Sequence, residues 1–188
     1  MLIIFIDIEV NLVIHRQNLA LFFAMEYNAY QVGKSGKSVN NNFMLIGEYI
    51  HTIDEKNRVS LPVKFRQEMG RKIIITPGLG QCLFIFTVKE WEKVSKKLSD
   101  SESDLSFLKA DQRNFNRYMF GRAAEVEIDS IGRMLIPEFL QAGIRLRDKA
   151  AIIGVKDRVE VWNEKAWSEQ KEMVEKKAEE LAEKLGNK

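Results

Sequence analysis

Two nearly identical phrases of nine residues contain the side chains best suited to chemistry in this chain: DEKNRVSLP at 54–62 and DSIGRMLIP at 129–137. Each phrase begins with Asp, has Arg four positions later, and ends in an aliphatic residue and Pro. The residue before the Arg is Asn57 in the first copy and Gly132 in the second, and both types tolerate a positive φ. We therefore expect both phrases to form the same tight turn.

The aspartates that open these phrases, Asp54 and Asp129, are the candidates for acid–base catalysis. A pair of carboxylates with one member from each copy is an arrangement that splits two pKa values for such work. Each Asp is followed by an Arg that would hold it ionised, and the Asp-Thr-Gly or Asp-Ser-Gly string of two-lobed aspartic proteases is replaced by other residues. A turn-forming role, in which the Asp side chain accepts backbone N–H groups, fits better. We expect that the protein is not an enzyme and keep a carboxylate enzyme as the weakest alternative.

Residues that bind metals or act as nucleophiles are sparse. His15 and His51 are the only histidines, and neither has a Cys, His or carboxylate at ligand spacing. Cys82 is the only cysteine, and its position in the apolar run CLFIF favours a buried small hydrophobic residue. The sequence has neither a Gly-rich phosphate loop nor a nucleophile–base constellation. It therefore predicts no metal and no cofactor, and the single cysteine fits a reducing cytoplasm.

The arginines of the two phrases, Arg58 and Arg133, suit the recognition of nucleic acid. A turn that needs Asn or Gly presents the next side chain at a sharp corner. Arg reads guanine bidentately through O6 and N7, and it also binds phosphate. Lys56, Lys64 and Arg66 add positive charge around the first copy. The alternative is that each Arg only closes its turn by pairing with the Asp four residues before it, and for either copy considered singly this alternative is favoured.

The overall composition permits a nucleic-acid partner without indicating one. A chain of 188 residues with 45% hydrophobic and 30% charged residues is typical of a soluble globular protein. Its formal net charge is +2, so any basic surface must arise from local arrangement. The apolar start MLIIFIDIEVNLVI is interrupted by acidic residues well short of the roughly 18 residues that a spanning helix needs. We therefore predict no membrane association.

The repetition extends beyond the two phrases. QCLFIFTVKEWEKV at 81–94 aligns without gaps with DRVEVWNEKAWSEQ at 157–170, so the chain contains two copies of one unit. Each unit is predicted to contain a strand, the turn, a short strand, a short helix, two further strands and a longer helix. Thr87 and Asn163 are predicted to be the N-caps of the longer helices. Because one unit is too small for a sizeable core, we expect the two copies to share one.

This pattern divides the chain into an extension and four further segments. Those segments are a first unit at 44–98, a linker helix at 99–120, a second unit at 121–174 and a C-terminal helical tail at 175–188. We expect residues 1–43 to be a non-native or disordered extension, with Met44 as the natural start. The alternative is an extension that adds a strand or an interfacial anchor.

Four motifs together are specific: the duplicated D-x-x-[G/N]-R-x-x-[L/I]-P, the opening GEYIHTID, the string QCLF and the closing WNEKAW. From Met44 to about Glu172 the chain resembles the MraZ family of bacterial transcriptional regulators, within the SpoVT-AbrB group of DNA-binding domains. The resemblance implies an α+β fold in which two tandem SpoVT-AbrB-like units, with swapped hairpins, form a double-psi-type β-barrel with flanking helices.

The resemblance also implies a function. It implies a regulator, generally a repressor, that is cytoplasmic and nucleoid-associated and acts on the cell-division and cell-wall gene cluster. Such a regulator binds tandem direct repeats of promoter double-stranded DNA as a ring-shaped homo-oligomer. The DNA-contacting turn of the family carries over to Asp54 through Arg58 and to Asp129 through Arg133, and the first copy departs from the pattern at Asn57. A head-to-tail ring repeats the same corner in one direction, which matches direct repeats.

A protein–protein interaction module, such as an antitoxin-like or assembly-hub barrel, is the second functional hypothesis. The C-terminal tail favours it, because a narrow apolar seam in a segment rich in Glu and Lys requires a partner surface. The seam consists of Val174, Ala178, Leu181 and Leu185.

Overall fold

A computed structural model of the chain describes residues 44–99 and 109–186, all of which lie within one compact unit, Asn42–Lys188. The expected extension at 1–43 lies outside the described residues. The stretch 100–108 of the predicted linker helix lies outside them as well.

The described residues form eight strands and five helices in the order that the repeat predicts. The first repeat contains β1 (Leu45–Thr52), β2 (Arg58–Ser60), α1 (Val63–Met69), β3 (Lys72–Pro77), β4 (Cys82–Thr87) and α2 (Val88–Ser99). Helix α3 (Ala110–Met119) precedes the second repeat. The second repeat contains β5 (Ala124–Glu127), β6 (Arg133–Leu135), α4 (Glu138–Gly143), β7 (Lys149–Lys156), β8 (Arg158–Asn163) and α5 (Glu164–Gly186).

Side-chain caps begin the long helix of each repeat. Thr87 Oγ1 accepts a hydrogen bond from the amide of Glu90 at 3.1 Å. Asn163 Oδ1 accepts hydrogen bonds from the amides of Lys165 and Ala166 at 3.0 and 3.4 Å. Because these bonds satisfy amides that lack a partner in the first helical turn, both predicted N-caps are confirmed.

The main sheet has six antiparallel strands in the order β1-β7-β8-β4-β3-β5. The hairpins β3–β4 and β7–β8 each lie within one repeat, and β4 pairs with β8 at the centre. The outer strands are exchanged: β1 pairs with β7 of the second repeat, and β5 pairs with β3 of the first. Each repeat therefore completes the sheet of the other.

Strands β2 and β6 form a separate two-stranded antiparallel ribbon, in which Val59 lies opposite Met134. One strand comes from each repeat. The amide of Leu61 donates to the Gly132 carbonyl at 2.9 Å, and the amide of Ile136 donates to the Asn57 carbonyl at 3.4 Å. Each ribbon strand therefore ends against the turn of the other repeat.

Alternating side chains of the sheet build an apolar cluster on each of its faces. On β4, Leu83 and Ile85 enter one cluster, whereas Phe84 and Phe86 enter the other. The cluster that contains Leu83 also includes residues of the ribbon and the short helices, namely Val59, Met134, Phe65 and Leu140. The long helices cover the second cluster with Trp91, Phe115 and Trp167. The four inner strands are thus largely buried on both faces, with the ribbon on one side and α2, α3 and α5 on the other.

The architecture confirms the α+β class. Within 44–99 and 109–186 the strands do not close into a barrel, because β1 and β5 are the edges of the main sheet and the ribbon is joined to the residues after them by single bridges only, Ile53 with Val59 and Ile128 with Met134. The double-psi-type barrel is therefore not confirmed by the strand pairing. None of the helices in these two stretches is long and apolar enough to cross a membrane.

Candidate nucleic-acid interface

The two repeated phrases form matching turns beside the ribbon. Asn57 has a φ of 59° and Gly132 a φ of 87°, so both occupy the positive-φ region. The Asn57 amide donates to the Asp54 carbonyl and the Gly132 amide to the Asp129 carbonyl, each at 2.9 Å. The two turns therefore have the same backbone conformation, and in each one the arginine directly follows the positive-φ residue.

Each turn is held by the side chain of its first residue. Asp54 Oδ1 accepts hydrogen bonds from the amides of Lys56 and Arg58, both at 2.9 Å. Asp129 Oδ1 makes the equivalent pair of bonds in the second turn, at 3.1 and 2.8 Å. The local sequence thus specifies the turn, because an Asp side chain readily accepts a hydrogen bond from the backbone amide two residues further along.

The same carboxylates orient the arginine side chains. Arg58 Nε and Nη2 lie 2.8 and 2.7 Å from Asp54 Oδ2, and Arg133 Nε lies 2.8 Å from Asp129 Oδ2. Arg133 Nη1 also lies 3.6 Å from Asp54 Oδ2, so Asp54 connects the two repeats. The alternative in which each Arg closes its own turn is therefore present in the structure. Both side chains remain 28% exposed, and a guanidinium has five N–H donors, so an external acceptor can still bind them.

The hydrogen bonds and ion pairs within the turns lower the pKa of both aspartates. Hydrogen bonds from the Arg58 side chain and backbone lower the pKa of Asp54 to about 2. The backbone amide of Arg133, followed by its side chain, lowers the pKa of Asp129. A general acid at neutral pH needs a raised pKa, so the geometry favours a structural role for this carboxylate pair over a catalytic one.

The outer face of the ribbon carries both arginines. Val59 and Met134 are fully buried, so the side chains before and after them on each strand point outward. The outward cross-strand pairs, called the ribbon face below, are Arg58 with Leu135 and Ser60 with Arg133. The pairing of β2 with β6 therefore brings two arginines from distant parts of the chain to one surface.

Two of the predicted cations, Lys56 and Lys64, precede and follow the ribbon strand of the first repeat in the chain. Lys56 is exposed at the tip of the first turn, and Lys64 is exposed in the first turn of α1. Their ammonium groups are placed as mobile point charges on long stems, a type of group that suits phosphate more than a base edge.

Arg66 differs from these lysines because its guanidinium is bound within the protein. Its Nε donates to the Leu61 carbonyl at 2.6 Å, and its Nη1 donates to the Ile131 carbonyl of the second turn at 2.9 Å. A Cβ added at Gly132 would lie 2.1 Å from the Arg66 Cζ. Arg66 thus positions the second turn, and a contact between Arg66 and nucleic acid stays a prediction.

The sequence reasoning missed the uncharged residues of this surface. Aligning the two repeats position by position would have revealed them, because polar residues of the first repeat are replaced by apolar residues in the second. The pairs are Lys56 with Ile131, Ser60 with Leu135 and Lys64 with Phe139. The apolar members are 59%, 53% and 49% exposed, respectively, so they do not belong to the core.

Other reactive residues provide no second site within the described residues. There, no group of three or more His, Cys, Asp and Glu side chains is arranged to hold a metal ion. Cys82 is a buried free thiol, as predicted, and burial raises its pKa so that it stays protonated. Burial also lowers the pKa of His51, whereas His15 lies outside the described residues.

Comparison with known proteins gives the family. A family model described as "MraZ protein, putative antitoxin-like" matches residues 44–118 and again residues 119–186. The chain belongs to the MraZ family. The two successive matches agree with the internal repeat, and the resemblance drawn from the MraZ motifs is confirmed.

Several MraZ relatives share most of their length with this chain, and each bears the name "Transcriptional regulator MraZ". The protein from Caldanaerobacter subterraneus subsp. tengcongensis is 41% identical over 144 residues, which cover 77% of this chain and 98% of the relative. A relative from a Thermoanaerobacter species is 42% identical over 142 residues, with 76% and 96% covered. The relative from Caldicellulosiruptor saccharolyticus is 44% identical over 144 residues, again with 76% and 96% covered.

Proposed function

We propose that this protein is a sequence-specific DNA-binding transcriptional regulator. Its relatives are named transcriptional regulators, and the ribbon face provides a surface of suitable chemistry. The B-DNA major groove, about 12 Å wide, admits a two-stranded β-ribbon. The observation that carries the proposal is the convergence of Arg58 and Arg133 on one ribbon face, where both lie within reach of Asp54.

The ion pairs prepare the arginines for binding. Because Asp54 and Asp129 already fix the orientation of Arg58 and Arg133, less side-chain entropy is lost when DNA binds. We assign the reading of guanine to the two arginines, since a guanidinium matches O6 and N7 bidentately.

We assign the contacts with the sugar–phosphate backbone to Lys56, Lys64 and Arg66. Such contacts set register and orientation but carry no sequence information. The two lysines are exposed and lie within four residues of β2 in the chain, which supports this role, whereas Arg66 would have to contact DNA from its position against the second turn.

The proposal includes an assembly and a target. The protein acts as a repressor of the cell-division and cell-wall gene cluster, in the cytoplasm and on the nucleoid, without a cofactor. It binds tandem direct repeats as a head-to-tail ring, in which contacts that are weak singly reinforce each other. The SpoVT-AbrB-like units are 44–98 and 121–174, and an experimental structure of the ring would test whether ribbon and sheet together close as a double-psi-type barrel.

Replacement of both arginines tests the proposal. The DNA just upstream of the gene is footprinted with the purified protein, and affinity for that fragment is then measured by fluorescence anisotropy. Arg58→Ala with Arg133→Ala should weaken binding at least about thirtyfold, because each bidentate guanine contact contributes about 1–3 kcal/mol. Light scattering should show the same assembly for the wild type and the double alanine variant.

Two matched variants separate recognition from charge and folding. Lys96→Ala with Lys97→Ala removes the same charge from α2, on the opposite side of the sheet, and should leave binding within about twofold of wild type. Arg58→Lys with Arg133→Lys retains the charge but loses bidentate geometry, so it should still bind more weakly than wild type. Unchanged affinity in the folded double alanine variant would refute the proposal.

A protein–protein interaction module is the second candidate function. The observation that favours it is the exposed apolar seam of α5, which includes Val174, Leu181 and Leu185. If this seam is the functional surface, Leu181→Ser with Leu185→Ser would abolish partner binding while the arginine variants retain it.

A further inference from the structure

The ribbon face is asymmetric although the repeats that build it are related. Exchanging the two repeats places Arg58 on Arg133, but it places the small hydroxyl of Ser60 on the side chain of Leu135. Leu135 is 53% exposed even though its neighbour Met134 is fully buried. The face thus presents one apolar end and one hydroxyl end, each beside an arginine.

The strand register places Leu135 directly beside a guanine-reading residue. Leu135 lies opposite Arg58, and side chains directly opposite on antiparallel strands have Cβ atoms about 5 Å apart. Successive bases along one strand of B-DNA are separated by about 3.4 Å. Two side chains at this spacing can therefore reach the same base pair or adjacent ones.

The major groove offers one apolar group to such a side chain. Guanine, cytosine and adenine present polar atoms there, whereas thymine presents its C5-methyl group next to O4. A leucine side chain that faces the base edges is stabilised by contact with that methyl group and gains nothing from contact with the polar edges. Ser60, beside Arg133, offers a hydroxyl group that hydrogen-bonds to any base edge.

We propose that Leu135 is a specificity-determining residue that packs against the 5-methyl group of a thymine next to the guanine bound by Arg58. Because Ser60 makes no equivalent contact next to Arg133, the ribbon reads an asymmetric sequence and lies on DNA in one direction only. The inference rests on the proposed DNA-binding function and adds to it a base preference and a polarity.

Replacement of thymine by deoxyuridine tests the inference, since it removes only the methyl group. Each thymine of a footprinted site is replaced in turn, and affinity is measured by fluorescence anisotropy. In the wild type, one thymine in each repeated box should show about a fourfold loss on replacement, the effect of exposing one buried methyl group. In Leu135→Ser the sensitivity at that thymine should disappear. Replacement of the other thymines should leave the affinity unchanged in both proteins.

Two further variants define the expected pattern. Ser60→Leu should create sensitivity to deoxyuridine on the Arg133 side of the box, where the wild type has none. Ile46→Ser removes an aliphatic residue of similar exposure from β1 and should retain the wild-type deoxyuridine profile. Light scattering checks that all variants keep the wild-type assembly.

The outcomes distinguish this inference from the function on which it rests. DNA binding that is insensitive to deoxyuridine at every position overturns the role of Leu135 and leaves the proposed regulator intact. Disassembly of Leu135→Ser also overturns it, because Leu135 would then be a contact between subunits. Failure of the wild type to bind DNA overturns both.

Discussion

In the first repeat the short helix after the ribbon strand carries Arg66, whereas the aligned position of the second repeat is Gln141. Arg66 crosses to the second turn and binds the Ile131 carbonyl at 2.9 Å. The Gln141 amide donates to the Ile136 carbonyl of its own repeat at 2.6 Å. A longer side chain thus makes the first repeat support the turn of the second.

This difference explains why the two turns use different residues at the same positive-φ position. A side chain at Gly132 would be strained at its φ of 87°, and its Cβ would displace the Arg66 guanidinium, which occupies that space. Asn57 keeps its side chain at a φ of 59°, which Asn tolerates better than most residues. The departure of the first copy from the Asp-x-x-Gly-Arg pattern therefore preserves the turn and reflects its different neighbour.

The largest expected effect is on the free energy of unfolding, and it comes from replacing the residues at the two positive-φ positions. Gly132→Ala should lower the free energy of unfolding by at least about 1–2 kcal/mol from backbone strain, and further through displacement of Arg66. Asn57→Gly should change it by less than about 1 kcal/mol, because glycine accepts the same φ. Urea denaturation measures both values.

A double-mutant cycle supplies the control for Gly132→Ala. If Arg66 causes the extra cost, Arg66→Gln combined with Gly132→Ala should be less destabilised than the sum of the single variants. Additive costs would show that the guanidinium does not constrain Gly132.

The two aspartates should show a smaller difference in stability, and here the larger effect falls on the first repeat. Asp54 contacts both arginines, whereas Asp129 contacts its own, so Asp54→Asn should be the more destabilising change at pH 7. The pKa of Asp54 falls from an ordinary 3.8 to about 2, so its stabilisation is complete above about pH 4 and is lost as the pH falls towards 2. Wild type and Asp54→Asn should therefore converge in stability between pH 4 and 2, as followed by thermal unfolding. Parallel curves across that range would contradict the assignment.

The smallest effect concerns the tips of the two turns, where Lys56 and Ile131 occupy equivalent positions. If Lys56 binds a phosphate, Lys56→Ala should reduce the slope of log affinity against log salt by about 0.9, because one fewer counterion is released. Ile131→Ala should leave that slope unchanged. Titrations at several salt concentrations measure both, and equal slopes would place Lys56 away from the phosphates.

Much of the fold could be predicted from the sequence because its signals are local. The duplicated phrase, the partial alternation of AEVEI, the apolar run CLFIF and the caps at Thr87 and Asn163 each depend on neighbouring residues. The pairing of β1 with β7 could not be derived in this way, since alternation indicates a buried face but not a partner strand. The resemblance to the family implied that exchange; the residues did not.

The candidate site was predicted less completely for the same reason. The turn residues lie close together in the chain, so their interactions could be anticipated. The contacts of Arg133 with Asp54 and of Arg66 with Ile131 cross between repeats, and a helical arginine has the same sequence pattern whether it is exposed or bound. Leu135 was missed because a strand of three residues has no discernible period.

The exchange of outer strands has a consequence for how the protein is made. Leu45 cannot form its ladder until Lys156 has been synthesised, and the centre of the sheet likewise requires β8. When only the first half of the chain has been synthesised, its strands have unpaired edges and the core is incomplete. Pairings between residues that are distant in the chain, such as β1 with β7, also form slowly. We therefore expect a chain that terminates before β8 to lack a finished core and to be prone to aggregation.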